Sequence, residues 1–280
     1  MPTFSTPGPI TAPVQVAGAQ VRVTASDRTD TVVLVEPINT ASQSDVKVAN
    51  KTKVDFAGGQ LSVKTTVSGD KNGSVAITID LPAGSSLVAY LAHSGVHADG
   101  SFGDCELHIA SGRVQLDRID ALQASIASGE VAIGHIAAGA TIDGGAFAMR
   151  IGEVEGTVGF SNSGGQAWIG HASADLDLSG GSGSCDFDID RADESVNAST
   201  ASGAIRIGRM THGQAKLMNG SGNIEVGISE GTAASIDVNS ERGAVHNFVS
   251  SQGDSDPSDD MVIVHARARH GDIIIQRTAC

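Results

Sequence analysis

Three stretches decide the fold: Ala127-Ser128-Gly129-Glu130-Val131-Ala132-Ile133, Ala201-Ser202-Gly203-Ala204-Ile205-Arg206-Ile207 and Gly220-Ser221-Gly222-Asn223-Ile224-Glu225-Val226. Each has one or two small residues, a glycine, then apolar–polar–apolar alternation. The leading glycines are Gly95, Gly112, Gly129, Gly145, Gly164, Gly183, Gly203, Gly222 and Gly243, spaced by roughly 16 to 21 residues. A strand alternates its faces. The residues two and four after the glycine therefore line one side. They are Val114 and Leu116, Val131 and Ile133, Phe147 and Met149, Ile205 and Ile207, and Ile224 and Val226. Ala167 and Ile169 fit from Gly165, and Cys185, Phe187 and Ile189 fit with a shift of two residues.

One such repeat is too short to bury its own apolar face. Stacked units bury a continuous core and pair each strand with the one above and below. The expected fold is an all-β, single-chain β-solenoid, with Ser-Gly-led coils of roughly 17–20 residues and a non-repeating N-terminal β cap. Composition agrees. There are 35 glycines for tight corners and only 3% aromatic residues. No proline falls between residues 83 and 256, where it would delete a ladder hydrogen bond.

The chain divides into four segments. Residues 1–12 are Pro-, Thr- and Ser-rich and are expected to be poorly ordered. Residues 13–87 read as strands at 14–16, 21–23, 31–35, 54–56, 61–67 and 75–79, without the repeat, and are expected to cap the first coil. Residues 88–250 are the repeats. Residues 251–280 hold an acidic loop around Asp254, Asp256, Asp259 and Asp260, then capping strands at 261–267 and 272–276.

The formal charge of −14 argues against nucleic acid as a partner, because phosphate binding needs a basic surface. Cys105, Cys185 and Cys280 lie far apart without metal-type spacing. Cys105 and Cys185 would sit about four coils apart at about 4.8 Å each, beyond disulfide reach. They read as free thiols in a reducing compartment. No basic segment followed by an apolar run opens the chain, and no apolar stretch approaches the ~20 residues of a membrane helix. A cytoplasmic location without a membrane span is the expectation.

Leu81-Pro82-Ala83-Gly84-Ser85 leads into the Ser-Gly-led strands, and the chain closes on Gly271-Asp272-Ile273-Ile274-Ile275 with a basic residue after it. This pattern resembles the bacterial "putative adhesin" β-strand-repeat family, a domain of unknown function of actinobacterial type, from about Val14 to Arg277. The resemblance implies a β-solenoid-like fold with no established enzymatic activity and supplies no functional residues.

Six residues after the glycine, with Gly144 and Gly165 as anchors, come Arg118, His135, Arg150, His171 and Arg209, with Arg191 in the shifted coil. Stacked coils would line these up as a candidate column for an anionic ligand. The alternative is a solvated corner, where basic side chains cover apolar edges beside Asp117 and Asp190. Asp186, Asp188 and Asp190 face outward on one strand, but alternate strand residues are nearly 7 Å apart, and Arg206 and Glu225 should neighbour Asp188. No metal, cofactor or catalytic residue is assigned. The histidines show no H-x-x-x-H spacing, the serines sit at corners, and no phosphate loop occurs. Trp168, the single tryptophan, falls at an outward position.

The function expected is a non-enzymatic, adhesin-like or scaffold surface for an unknown protein or an extended polymer. The chain itself is expected to be a monomer or weakly self-associating end to end. The competing reading is a polysaccharide lyase or hydrolase of the β-helix kind, with strand 186–190 beside Arg206 as the nearest candidate site.

Overall fold

Alternating burial is the most regular feature of the computed structural model, which describes residues 2–65, 73–249 and 261–279. Along 19–26, Ala19, Val21, Val23 and Ala25 are buried while Gln20, Arg22 and Ser26 are exposed. The apolar residues predicted to point inward are all buried, from Val114 and Leu116 to Ile224 and Val226. The described chain is nearly all β. It forms two compact units, Met1–Ala137 and Ala138–Cys280.

The first unit holds β1 (Thr3–Ser5), β2 (Thr11–Ala17), β3 (Ala19–Ser26), β4 (Asp30–Pro37), α1 (Gln43–Lys51), β5 (Lys53–Ala57), β6 (Gln60–Lys64), β7 (Val75–Pro82), β8 (Ser86–Phe102) and the part of β9 (Cys105–Val154) up to residue 137. Gly18 separates β2 from β3 at a corner with φ 66°. β8 lies parallel to both, Thr11 opposite Ser86 and Gln20 opposite Gly95. On their other side β2 pairs in parallel with β6 and β3 with β7. β2 and β3 are thus inserted between β6 with β7 on one side and β8 on the other, although β7 and β8 are close neighbours in sequence. β5 then runs antiparallel to β6, and β4 antiparallel to β7.

The N-terminal strands therefore do two jobs. β2 and β3 are a rung within the stack, while β4, β5 and α1 cover its outer side. The first residues, expected to be loose, are tied down. β1 pairs with 30–32 of β4, and the hydroxyl groups of buried Thr6 and Thr31 lie 2.9 Å apart. Helix α1 was not anticipated. Ser42 caps it, its Oγ accepting from the Asp45 backbone N–H at 3.3 Å and donating to Asp45 Oδ1 at 3.0 Å. Asp45 also accepts from the backbone N–H groups of Asn39 and Ser74. The Ser-x-x-Asp spacing was the available signal.

The second unit holds the rest of β9, then β10 (Val158–Ala172), β11 (Leu176–Ala192), β12 (Val196–Ser202), β13 (Ile205–Met210), β14 (Gly213–Ser221), β15 (Ile224–Ser229), β16 (Ala233–Ser240), β17 (Val245–Asn247), β18 (Met261–His270) and β19 (Ile273–Thr278). Parallel partners lie 18 to 20 residues apart in sequence: Ala140 beside Val158, Val158 beside Leu176, Leu176 beside Val196, Val196 beside Ala215. The rule then breaks. β14 and β15 pair with β18 and β19, and these pair in turn with β16 and β17. The strands expected to cap the chain are inserted one rung inside the end, and among the described residues β16 with β17 is outermost. The acidic loop expected at 251–260 lies outside the described residues.

Glycine is required where rungs touch. At Gly222 φ is 130° and an added Cβ would sit 2.0 Å from the Gly203 carbonyl oxygen; at Gly129 φ is 133° and the same atom would meet the Gly112 oxygen at 2.2 Å. Any side chain there would force the two rungs apart. The second unit's core includes Phe160, whose ring centroid lies 5.5 Å from that of Phe147 and 5.9 Å from that of Phe187.

A laddered outer face as the candidate functional site

The outward side chains of the second unit stand in register. One row runs Arg150, Trp168, Asp188, Arg206, Glu225 and Ile274, each directly beside the next across a parallel pair. The Arg150 guanidinium lies 4.6 Å from the centre of the Trp168 ring, a cation–π contact. The indole spreads over Gly170, where an added Cβ would come within 3.0 Å of its Cη2. Arg206 donates to Asp188 and, at 3.5 Å, to Asp190. Asp186 accepts from the Ala204 backbone N–H at 2.8 Å. The carboxylates of this strand are thus engaged with protein donors. Exposed cross-strand pairs of this kind are each worth roughly 0.2–1 kcal/mol, so the row is held mainly by the rungs beneath it.

A second row lies at the corner and contains Glu153, His171, Arg191 and Arg209. Three residues of the predicted basic column are consecutive here. Arg150 is not among them; Glu153 holds the place expected for it. The count from Gly144 misassigned that rung, because Phe147, not Gly144, pairs with Gly165. In the first unit Arg118 is exposed beside Ser101. A Cβ on Gly134 would lie 2.6 Å from the Asp117 carbonyl oxygen, which sets His135 in the rung next to Arg118.

The corner row is not a bare line of cations. Asp193, whose side chain is 17% exposed, accepts from Arg191 Nε at 2.8 Å and Thr211 Oγ1 at 2.9 Å, and lies 2.7 Å from His171 Nε2. Burial opposes its ionisation, but the hydrogen bonds from Arg191, His171 and Thr211 outweigh it and hold its carboxyl at about 2. His171 Nδ1 also faces Glu153 at 3.5 Å. Next to this cluster His212 Nε2 lies 3.1 Å from Glu194. Among the described residues Arg209 carries no ion pair.

The profile of the Toastrack DUF4097 family matches residues 13–276. The chain belongs to this Toastrack family. Among solved structures, the Toastrack chain is similar to a putative adhesin from Bacteroides fragilis, at 13% identity over 99% of this chain and 95% of that one, with a TM-score of 0.38. It is also similar to a putative adhesin from Parabacteroides distasonis (8% identity, 99% and 95% covered, TM-score 0.32) and to a putative cell adhesion protein from Clostridium sporogenes (11%, 99% and 98%, TM-score 0.24). Similarities of this size do not extend to function. None of the curated proteins matches the chain.

The remaining chemistry of the Toastrack chain is muted. Cys105 and Cys185 are free and buried. Burial pushes the Cys105 thiol up to about 12 and that of Cys185 up to about 11, so both stay protonated and weakly nucleophilic at neutral pH. Cys185 donates to Asn162 Oδ1 at 2.9 Å. Among the described residues no group of three or more His, Cys, Asp or Glu is arranged to hold a metal ion, and no helix is long and apolar enough to cross a membrane.

One set of residues escaped the sequence reading. Asn162, Thr200 and Asn219 are buried at the corner, each three residues before Gly165, Gly203 and Gly222. Asn162 donates to the Gly164 carbonyl at 2.8 Å, Thr200 to that of Ser202 at 2.8 Å, and Asn219 to that of Gly203 at 2.7 Å. These bonds satisfy corner carbonyls that face the core. The spacing ahead of the glycine was the signal.

Proposed function

We propose that this Toastrack chain is a non-enzymatic β-solenoid, with coils of roughly 17–20 residues, whose laddered outer face binds an extended partner in an adhesin-like role. The observation that carries the reading is the in-register row from Arg150 to Glu225, in which Arg150 stacks on Trp168 and Arg206 is bonded to Asp188. Such a row offers a flat, pre-ordered surface with contacts repeating about every 4.8 Å. Side chains already fixed lose little freedom on binding. An extended polymer, or an extended stretch of protein, fits that repeat.

The test is a double variant, Trp168→Ala with Arg206→Ala, offered immobilised cell-wall polymers and extracellular proteins. Binding by the parent chain and its loss in the variant is expected, with Tm shifted by no more than about 5 °C. New reducing ends released from a polysaccharide by the parent chain, and abolished by the same substitutions, would overturn the non-enzymatic reading.

A further inference from the structure

In the first unit Gly95, on β8, is a glycine that the fold does not need. Its φ lies outside the left-handed region, and an added Cβ would meet nothing nearer than the Arg113 carbonyl oxygen at 4.0 Å. That contrasts with Gly129 and Gly222, where the same atom would collide with backbone. Gly95 stands between Gln20 and Arg113 in one outward row, and the adjacent row is Arg22, His97 and Gln115. The missing side chain helps open a groove along these residues, bounded on the β7 side by Ala76 and Thr78, with a volume of about 470 Å³ and open to solvent.

The lining is rich in donors. Arg22 is exposed and has no ion pair among the described residues. Arg113 spends its Nε on Glu130 at 2.9 Å, leaving its terminal amino groups unassigned. His97 Nε2 faces Asp99 at 2.8 Å. The two glutamine amides each donate and accept, which matches sugar hydroxyl groups. A guanidinium matches a carboxylate in plane and charge. The net charge of −14 repels a densely charged polyanion at long range but not a chain with widely spaced carboxylates. The volume falls within the ~300–1,000 Å³ of small-molecule sites.

We infer that the Gly95 notch binds an acidic oligosaccharide bearing spaced carboxylates, with Arg22 holding the carboxylate and Gln20 and Gln115 the neighbouring hydroxyl groups. This site is separate from the laddered face of the second unit, and neither reading depends on the other.

Calorimetric titration of the full chain tests it. The probes are a hyaluronan tetrasaccharide, with a carboxylate on alternate sugars, tetragalacturonate, neutral chitotetraose and inorganic phosphate. Saturable binding is expected for the hyaluronan fragment, weaker binding for tetragalacturonate, and none for chitotetraose or phosphate. Arg22→Ala should lower affinity by about 10- to 100-fold, and Arg22→Lys should restore part of it. Gly95→Leu should abolish binding while leaving Tm unchanged. The same two substitutions should leave the partner binding of the Trp168 and Arg206 face intact. No saturable heat with either uronate would overturn the inference. So would equal affinity for chitotetraose, displacement of the fragment by millimolar phosphate, or parental affinity in Arg22→Ala.

Discussion

The outermost rungs of the two units are built alike and finished differently. In Met1–Ala137 the outer rung is β6 with β7; in Ala138–Cys280 it is β16 with β17. Both are alternating strands with Ile, Leu or Val on the inner face. In the first, Leu61, Val63, Val75, Ile77 and Ile79 are all buried, because antiparallel β4 and β5 and helix α1 lie outside them. In the second, Ile236 and Val238 stay half-buried, Val245 is 42% exposed and Phe248 68%. Among the described residues β16 and β17 pair on one side each, with β18 and β19. Burial in a stack thus follows from having a neighbour on each side, not from the hydrophobicity of the strand. The two units share a second device: each inserts a segment remote in sequence beneath its outer rung, which ties down 11–26 and 261–278.

The contrast is broken most severely at an inserted strand. Val264 in β18 is fully buried between β14 and β16. Val264→Asp should cost about 4 kcal/mol or more, whereas Val238→Asp on the half-open outer rung should cost less than about 2 kcal/mol. Urea unfolding of both variants measures the gap. Hydrogen exchange should show β16 and β17 released in the first variant. Equal losses would mean that the outer rung is as well covered as the inner one.

Next in size is rung-to-rung contact. Gly222→Ala places a methyl group against the Gly203 carbonyl at a strained φ and should cost about 2–4 kcal/mol. Gly95→Ala, in the other unit, should stay within about 0.5 kcal/mol of the parent. A calorimetric melt of each separates a glycine demanded by the stack from one that is not.

The Asp193 cluster gives the second unit an acid dependence. Its carboxyl ionises at about 2 in the folded chain against an ordinary 3.8. The folded pKa is depressed, so the stabilisation is complete above about pH 5 and drains away as pH falls through about 2. It amounts to at most about 2.5 kcal/mol. Asp193→Asn should lower stability at pH 7 and flatten the acid limb of a stability–pH curve; an unchanged limb would place the acid sensitivity elsewhere.

The smallest effect concerns the cover of the first unit. Ser42→Ala removes the N-cap of α1 and should cost about 1 kcal/mol, read as faster exchange of the α1 amides with β6 and β7 still protected. If β6 and β7 lose protection as well, the helix and the outer rung open as one unit.

Much of this architecture is legible locally. Val131 and Ile133, or Ile224 and Val226, face inward because a strand has a period of two residues, whatever it pairs with. Gly129 and Gly222 mark corners because only glycine takes those dihedrals at backbone contact distance. The corner basics His171, Arg191 and Arg209 fell into line for the same reason. Arg150 did not, since counting from Gly144 assumed a corner where the structure pairs Phe147 with Gly165. What no local pattern reveals is which rung lies next to which. Residues 11–26 and 261–278 carry the same alternation as any other rung, and backbone hydrogen bonding is blind to sequence distance. Their insertion beneath the outer rungs, and so the covered edge of one unit and the half-open edge of the other, is settled by which arrangement leaves the least apolar surface and the fewest strand edges unpaired.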